Sequence, residues 1–225
     1  MGRATPPALI FVSALMKCLP ASAIILAGGK SRRMGSDKRF LEVQGKTMLD
    51  RTISFCEKLF SEIIIVTAGP ESLIKSVHKV VYDIIPNSAA LGGIYTGLLT
   101  SKELYGFVVA CDMPWLHAEL IKFLVQRPGE SSKSNYDVVV PKSSYGFQPT
   151  HALYSKRCLP ILEGMISEKN FEIKNIFNRK EIFLRAVLPD EIALFDQSGR
   201  AFMNINTPED FKGILRDENS TYDSA

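Results

Sequence analysis

The sequence predicts an α/β fold built on a single doubly wound, mostly parallel, Rossmann-like sheet. Three observations carry that prediction. Strand-like and helix-like segments alternate four times between Ala23 and Gln126. Ala23–Ala27 and Glu62–Thr67 are nearly continuous apolar runs, as in strands buried on both faces of a parallel sheet. Beyond Asn135 the alternation yields to paired strands, Asp137–Lys142 and Phe147–Tyr154, joined through Ser143–Gly146 as a hairpin.

The first strand ends in the stretch around which the chain is organised, Leu26-Ala27-Gly28-Gly29-Lys30-Ser31-Arg32-Arg33-Met34-Gly35-Ser36-Asp37-Lys38. Glycines allow the backbone close to a ligand, and their N–H groups can donate to phosphate oxygens. Arg32, Arg33 and Lys38 add positive charge. The spacing is neither the dinucleotide G-x-G-x-x-G nor the G-x-x-x-x-G-K-[ST] phosphate loop.

Phe40–Val43 is expected to be extended and closed by the turn Gln44-Gly45-Lys46. Apolar residues at helical spacing predict a helix from Thr47 to Phe60. After the Glu62–Thr67 strand, Gly69-Pro70 leads to a short helix around Glu71–Val77, and Lys79–Asp83 is the third strand. A helix over Gly93–Ser101, a strand over Tyr105–Cys111 and a helix over His117–Gln126 complete the alternation. Further on, Lys156–Phe177 reads as largely helical, Glu181–Leu188 as strand-like and Ala201–Asn206 as a final strand. Thr207-Pro208-Glu209-Asp210 opens the last helix with Thr207 as N-cap.

The chain has 225 residues, 46% hydrophobic and 23% charged, with a net charge of +3. That balance is ordinary for a globular enzyme, and no basic block with interleaved aromatics argues for nucleic acid. The four cysteines form no C-x-x-C pair, so neither a zinc site nor a disulfide framework is expected; reduced thiols in a cytoplasmic protein are. The apolar run Ala8–Met16 is shorter than the roughly 18 residues a membrane span requires. Cleavage after Ala23 would remove the start of the glycine-bearing strand, so a signal peptide is disfavoured. Residues 1–20 are expected to be a dispensable extension with Met16 an alternative start, 21–218 one domain, and 219–225 a disordered tail.

In open parallel sheets, ligands bind at the carboxyl ends of strands near the point where strand order reverses. Three such ends carry suitable groups: the glycine stretch, Asp83 and Asp112. Asp112 follows a hydrophobic strand, and a lone carboxylate there can hold Mg²⁺ when phosphates supply the remaining oxygens. Asp at a strand end also serves as a simple turn former or helix cap, and Arg32 alone would be a solvated cation. His78, His117 and His151 share no metal-ligand spacing, and His117 is read as the start of a helix.

The stretch Leu-Ala-Gly-Gly-x-Ser-x-Arg-Met-Gly-x-Asp-Lys over 26–38 resembles the signature of the MobA family of nucleotidyltransferases, which includes molybdenum cofactor guanylyltransferase. Val81-Tyr82-Asp83, Leu91-Gly92-Gly93, Cys111-Asp112-Met113-Pro114, Gln148–Tyr154 and Asn204–Glu209 match later family blocks in order, so the resemblance runs from Ala23 to Leu215. It implies a sheet of the nucleotide-diphospho-sugar transferase type with a C-terminal acceptor-binding hairpin and helices. Leu26, Ala27, Gly28 and Gly29 would wrap the nucleotide, while Arg33 and Lys38 would neutralise its triphosphate. Asp83 would contact the guanine nucleoside, and Asp112 would hold Mg²⁺. Gln148, Pro149, Thr150, Asn204 and Asn206 would form the acceptor side. Two departures bear on base recognition: Val66-Thr67 where the family often ends the strand in Asn, and Ala89-Ala90 where it often has Gly-Pro.

The expected reaction is transfer of GMP from GTP to the terminal phosphate of molybdopterin, releasing pyrophosphate. Catalysis would rest on bringing two anions together and on charge stabilisation by Arg33, Lys38 and Asp112-bound Mg²⁺. The resemblance implies GTP and molybdopterin as partners, transient contacts with other molybdenum cofactor biosynthesis proteins, and neither nucleic acid nor membrane. One rival reading is transfer of a cytidylyl or other nucleotidyl group to a pterin or a sugar or alditol phosphate. Against it, Gly28 stands where related pyrimidine transferases commonly carry Ala. The other is a non-catalytic nucleotide-binding domain, which would be expected to lose Lys38 or Asp112 first.

Overall fold

The computed structural model describes residues 18–28, 38–43, 45–68, 74, 76–126, 135–207 and 209–213. Of the expected extension over residues 1–20 only 18–20 are described, with the Leu19 N–H bonded to the Leu59 carbonyl; the alternative start and the C-terminal tail lie outside the described residues.

The described strands are β1 (Ser22–Ala27), β2 (Glu42–Val43), β3 (Lys46–Thr47), β4 (Ile63–Thr67), β5 (Lys79–Tyr82), β6 (Tyr105–Ala110), β7 (Val138–Ser143), β8 (Gly146–Phe147), β9 (His151–Ser155) and β10 (Leu184–Val187). The helices are α1 (Met48–Cys56), α2 (Ala89–Thr100), α3 (Ala118–Gln126), α4 (Leu159–Ser167) and α5 (Pro189–Ala193). The main sheet has the order β10-β7-β9-β6-β1-β4-β5, with β8 appended to β7. β1, β4, β5 and β6 are mutually parallel, and β10 runs parallel to β7. β9 runs antiparallel to both β6 and β7. The doubly wound, mostly parallel sheet is therefore borne out.

Strand order grows outward from β1 through β4 to β5 and then reverses to β6 on the other side. The crevice at the carboxyl ends of β1 and β6 is the reversal point where ligands of such sheets bind. Both faces of the sheet are covered, as the continuous apolar strands require. One core joins Ile25, Ile65, Phe107 and Val109 to α1 and α3. The other joins Ile24, Ile64, Val108 and Tyr154 to α2, α4 and the 3₁₀ segment Ile173–Asn178.

Helix α2 begins four residues earlier than expected and contains Gly92 and Gly93. Glycine is a poor helix former, which is why that stretch reads as loop from sequence. Packing reverses the preference: a β-carbon at Gly97 would stand 2.3 Å from Cγ2 of Ile24, so the helix lies against β1 only without side chains there. Helix α1 ends at Cys56, four residues before the expected Phe60, and Thr47 caps it by accepting the N–H of Asp50.

Three other expectations need correction. The strand over Phe147–Tyr154 is two pieces, because residues 148–150 leave the ladder at Pro149, which has no N–H to donate. The expected final strand over Ala201–Asn206 is a 3₁₀ turn, Arg200–Phe202, followed by residues 203–206 outside any sheet. The helix expected around Glu71–Val77 falls mostly outside the described residues, and Ile74, Ser76 and Val77 are not helical. The N-cap at Thr207 is as expected: its hydroxyl accepts the N–H of Asp210, and Asp210 accepts the N–H of Thr207, a reciprocal capping box.

Candidate active site

The carboxyl edge of the sheet gathers most of the described candidates. β1 delivers Leu26 and Ala27, both buried, and then the exposed Gly28. β4 ends beside it at Thr67, the register partner of Ala27, and β5 ends at Tyr82, immediately before Asp83. Backbone bonds lock these ends together: Asp83 N–H donates to the Thr67 carbonyl at 2.8 Å, and Cys111 N–H donates to the Leu26 carbonyl at 3.2 Å. The second bond sets Asp112 directly across from the start of the glycine stretch. A β-carbon at Gly28 would already lie 3.1 Å from that of Ala68, so the strand ends meet tightly here. Gly29 and Arg33 lie outside the described residues. The backbone of Lys38 begins the 3₁₀ turn Lys38–Phe40.

Asp83 is half-buried, and burial pushes its carboxyl above the usual range. The N–H of Ile85 at 2.9 Å and the hydroxyl of Thr96 at 3.4 Å oppose that shift by donating to Oδ1. The carboxylate is thereby held against α2 at the mouth of the β4–β5 side.

On the other side, the C-terminal segment reaches Asp112 by one backbone bond, Ile205 N–H to the Asp112 carbonyl at 2.9 Å. Ile205 is buried with Val43 and Met48, flanked by Trp115 and Phe211. That small cluster anchors the exposed Asn204 and Asn206 beside the strand end. Asp210 accepts the N–H of Asn206 at 2.8 Å and fixes the segment's exit. Asp112 and Asn206, more than ninety residues apart in sequence, are thus neighbours through Ile205.

Gln148, Pro149 and Thr150, expected on the acceptor side, lie in the connection between β8 and β9. Their polar groups are used inside the fold. The Gln148 amide nitrogen donates to Ser143 Oγ at 2.8 Å, the Pro149 carbonyl accepts the Tyr154 hydroxyl at 2.8 Å, and the Thr150 carbonyl accepts the Ala110 N–H at 3.1 Å. These contacts shape the wall of the crevice next to β6.

The sequence reading missed Arg39, whose Nη1 donates to the Ala27 carbonyl and the Thr67 hydroxyl. It also missed the role of Gly92, over which the Asp83 carboxylate rests. Position next to Lys38 was the available signal for Arg39; for Gly92 there was none, since the contact is tertiary.

The sequence profile of the MobA-like NTP transferase domain matches residues 23–182. The chain belongs to the MobA-like NTP transferase family. Within it, a protein of Natranaerobius thermophilus named a probable molybdenum cofactor guanylyltransferase is 36% identical over 195 residues, covering 85% of this chain and 93% of that one. The crystal structure of molybdopterin-guanine dinucleotide biosynthesis protein A from Archaeoglobus fulgidus has the same fold, with a TM-score of 0.76 at 23% identity over 88% of this chain and 99% of the other. The crystal structure of Rv0371c of Mycobacterium tuberculosis in complex with manganese also has this fold, with a TM-score of 0.62 at 16% identity over 87% of this chain and 98% of the other.

A divalent cation is the group this MobA-like site would take. Among the described residues no cluster of three or more His, Cys, Asp or Glu could hold a metal alone. Among the described residues, the half-exposed carboxylate of Asp112 at the crevice fits a divalent cation that is shared with phosphate oxygens. None of the described helices is long and apolar enough to cross a membrane.

Proposed function

We propose that this protein transfers GMP from GTP to the terminal phosphate of molybdopterin, yielding molybdopterin guanine dinucleotide and pyrophosphate. The carrying observation is the Ile205–Asp112 backbone bond at 2.9 Å, which draws the Asn204–Asn206 segment onto the strand end that faces Gly28. A crevice with a nucleotide wall and a separate C-terminal wall meeting at one carboxylate is suited to two phosphorylated substrates. The names of the relatives point to the same pair.

In the reaction an oxygen of the acceptor phosphate attacks the α-phosphorus of GTP. A new P–O–P link forms, the bond from the α-phosphorus to the bridging oxygen breaks, and that oxygen's electron pair leaves with pyrophosphate. The acceptor is already an anionic nucleophile, so the protein's work is alignment and charge stabilisation. Gly28 and Gly29 would admit the triphosphate close to the backbone, and Arg33 and Lys38 would offset its charge. Asp83 would face the nucleoside, held by Ile85 and Thr96. Asn204 and Asn206 would contact the acceptor, and the Gln148–Thr150 wall would confine it. Asp112 would hold Mg²⁺, which when bound neutralises charge on the phosphates.

The cytoplasm is the natural setting, and Cys56 and Cys158 fit it as buried thiols whose ionisation burial pushes up to about 12. Pyrophosphate release tests the proposal: it should require GTP, Mg²⁺ and molybdopterin together. Release that proceeds without molybdopterin, or that prefers CTP over GTP, would overturn it.

A further inference from the structure

We propose that Arg39 is a positioning residue for nucleotide binding, acting through the ends of β1 and β4. The inference rests on the nucleotide role of the glycine stretch. From Nη1, Arg39 donates to the Ala27 carbonyl at 2.9 Å and to Thr67 Oγ1 at 3.2 Å. Ala27 and Thr67 are register partners, both fully buried, and each is the last residue of its strand. Arg39 therefore spans two strands at the point where the chain leaves the sheet for Gly28.

Connectivity gives that span its consequence. Gly28 and Lys38 flank residues 29–37 in the sequence, and Lys38 immediately precedes Arg39. One guanidinium thus ties the residue after Lys38 to the strand end before Gly28, the two described flanks of the glycine stretch. Arg suits the task because its planar, permanently charged head serves two acceptors at once, which a lysine does less well. Its guanidinium carbon lies 5.3 Å from the centre of the Phe40 ring, a contact that restricts its swing. Thr67 matters for the same reason: at a strand end where the family often has Asn, this chain has a hydroxyl that accepts from Arg39.

A cap that only stabilised the sheet would affect melting and leave nucleotide binding unchanged. A positioning residue sets the population of the binding-competent arrangement, so its loss weakens apparent affinity by that fraction while saturated turnover persists. The test compares wild type with Arg39→Ala, Arg39→Lys, Thr67→Val and the Ala/Val double variant. Each is titrated with GTP in Mg²⁺, and GTP KM, kcat and melting temperature are measured in parallel. Because Arg39 makes charge-assisted hydrogen bonds, Arg39→Ala should raise the GTP Kd and KM about tenfold or more, with kcat within about twofold. Arg39→Lys should recover part of the affinity. Thr67→Val should weaken binding by a smaller factor and add nothing in the Arg39→Ala background. If Arg39→Ala does not fold, Thr67→Val still decides, since it leaves the cation in place. Variants that melt lower but bind GTP as wild type does would overturn this inference alone. A wild-type protein that binds no nucleoside triphosphate would instead overturn the nucleotide reading on which it stands.

Discussion

Gly92 lies directly beneath the carboxylate of Asp83. A β-carbon built at Gly92 would come within 2.6 Å of Oδ1 and 2.8 Å of Oδ2, and within 2.0 Å of Ser88 Oγ. Only a residue without a side chain lets α2 support Asp83 at this distance.

Gly92→Ala should therefore displace Asp83, which on the proposed function faces the nucleoside. Overpacking of this kind costs about 1–3 kcal/mol of stability. GTP affinity should fall along with the melting temperature. Gly164→Ala is the matched control: nothing lies within 4 Å of its added carbon in α4, so it should stabilise by about 0.5–1 kcal/mol and leave GTP binding unchanged. Titration calorimetry of the two variants separates the effects.

His151 should make the protein acid-sensitive. It is fully buried, both ring nitrogens lack a partner among the described residues, and its ring stands edge-on between Phe107 and Phe202. Burial lowers its pKa from 6.5 to about 3, against the attraction of Asp196. The folded pKa lies below the unfolded one, so between these values the unfolded chain binds the extra proton and stability falls as pH falls. The loss from pH 7 to pH 5 should be about 2 kcal/mol. Denaturant titrations at both pH values should show it, and His151→Leu should remove most of the difference.

Asp210 should matter to the acceptor and not to the nucleotide. Its Oδ2 accepts the N–H groups of Asn206 and Thr207, both at 2.8 Å, and so fixes the exit of the Asn204–Asn206 segment. Loss of the capping box costs about 0.5–2 kcal/mol locally. Asp210→Ala should raise KM for molybdopterin several-fold with GTP KM nearly constant, measured by varying each substrate at saturation of the other.

Lys38 and Asp112 are expected to act on turnover. By analogy with removal of one charge-stabilising donor, Lys38→Ala should slow turnover on the order of 10²–10³-fold. Near-normal turnover would remove Lys38 from the mechanism. Asp112→Ala should abolish Mg²⁺-dependent turnover with circular dichroism unchanged, and full activity would place the metal elsewhere.

The alternating sheet was legible because β1 and β4 are buried on both faces and carry no competing pattern. Asp83 and Asp112 were legible as strand-end acids once those strands were recognised. The residues that tie the edge together were not, because their contacts are tertiary. Arg39 reads as one more cation, and only the fold shows it reaching across to Thr67. Gly92 reads as a helix breaker until α2 is seen packed on Asp83. Ala201–Asn206 reads as a strand from its apolar spacing, yet Ala201, Phe202 and Ile205 are buried without a strand partner. The same apolar pattern serves a segment that packs against helices and reaches the sheet edge through the Ile205–Asp112 backbone bond.

The central claim is the joining of a guanylyl group to a pterin phosphate. Mass spectrometry of the product formed from GTP, Mg²⁺ and molybdopterin, with pyrophosphate counted in parallel, tests it most directly. One molybdopterin guanine dinucleotide per pyrophosphate is the predicted result. No dinucleotide from GTP, or preferential formation of the cytosine dinucleotide when CTP competes, would contradict it.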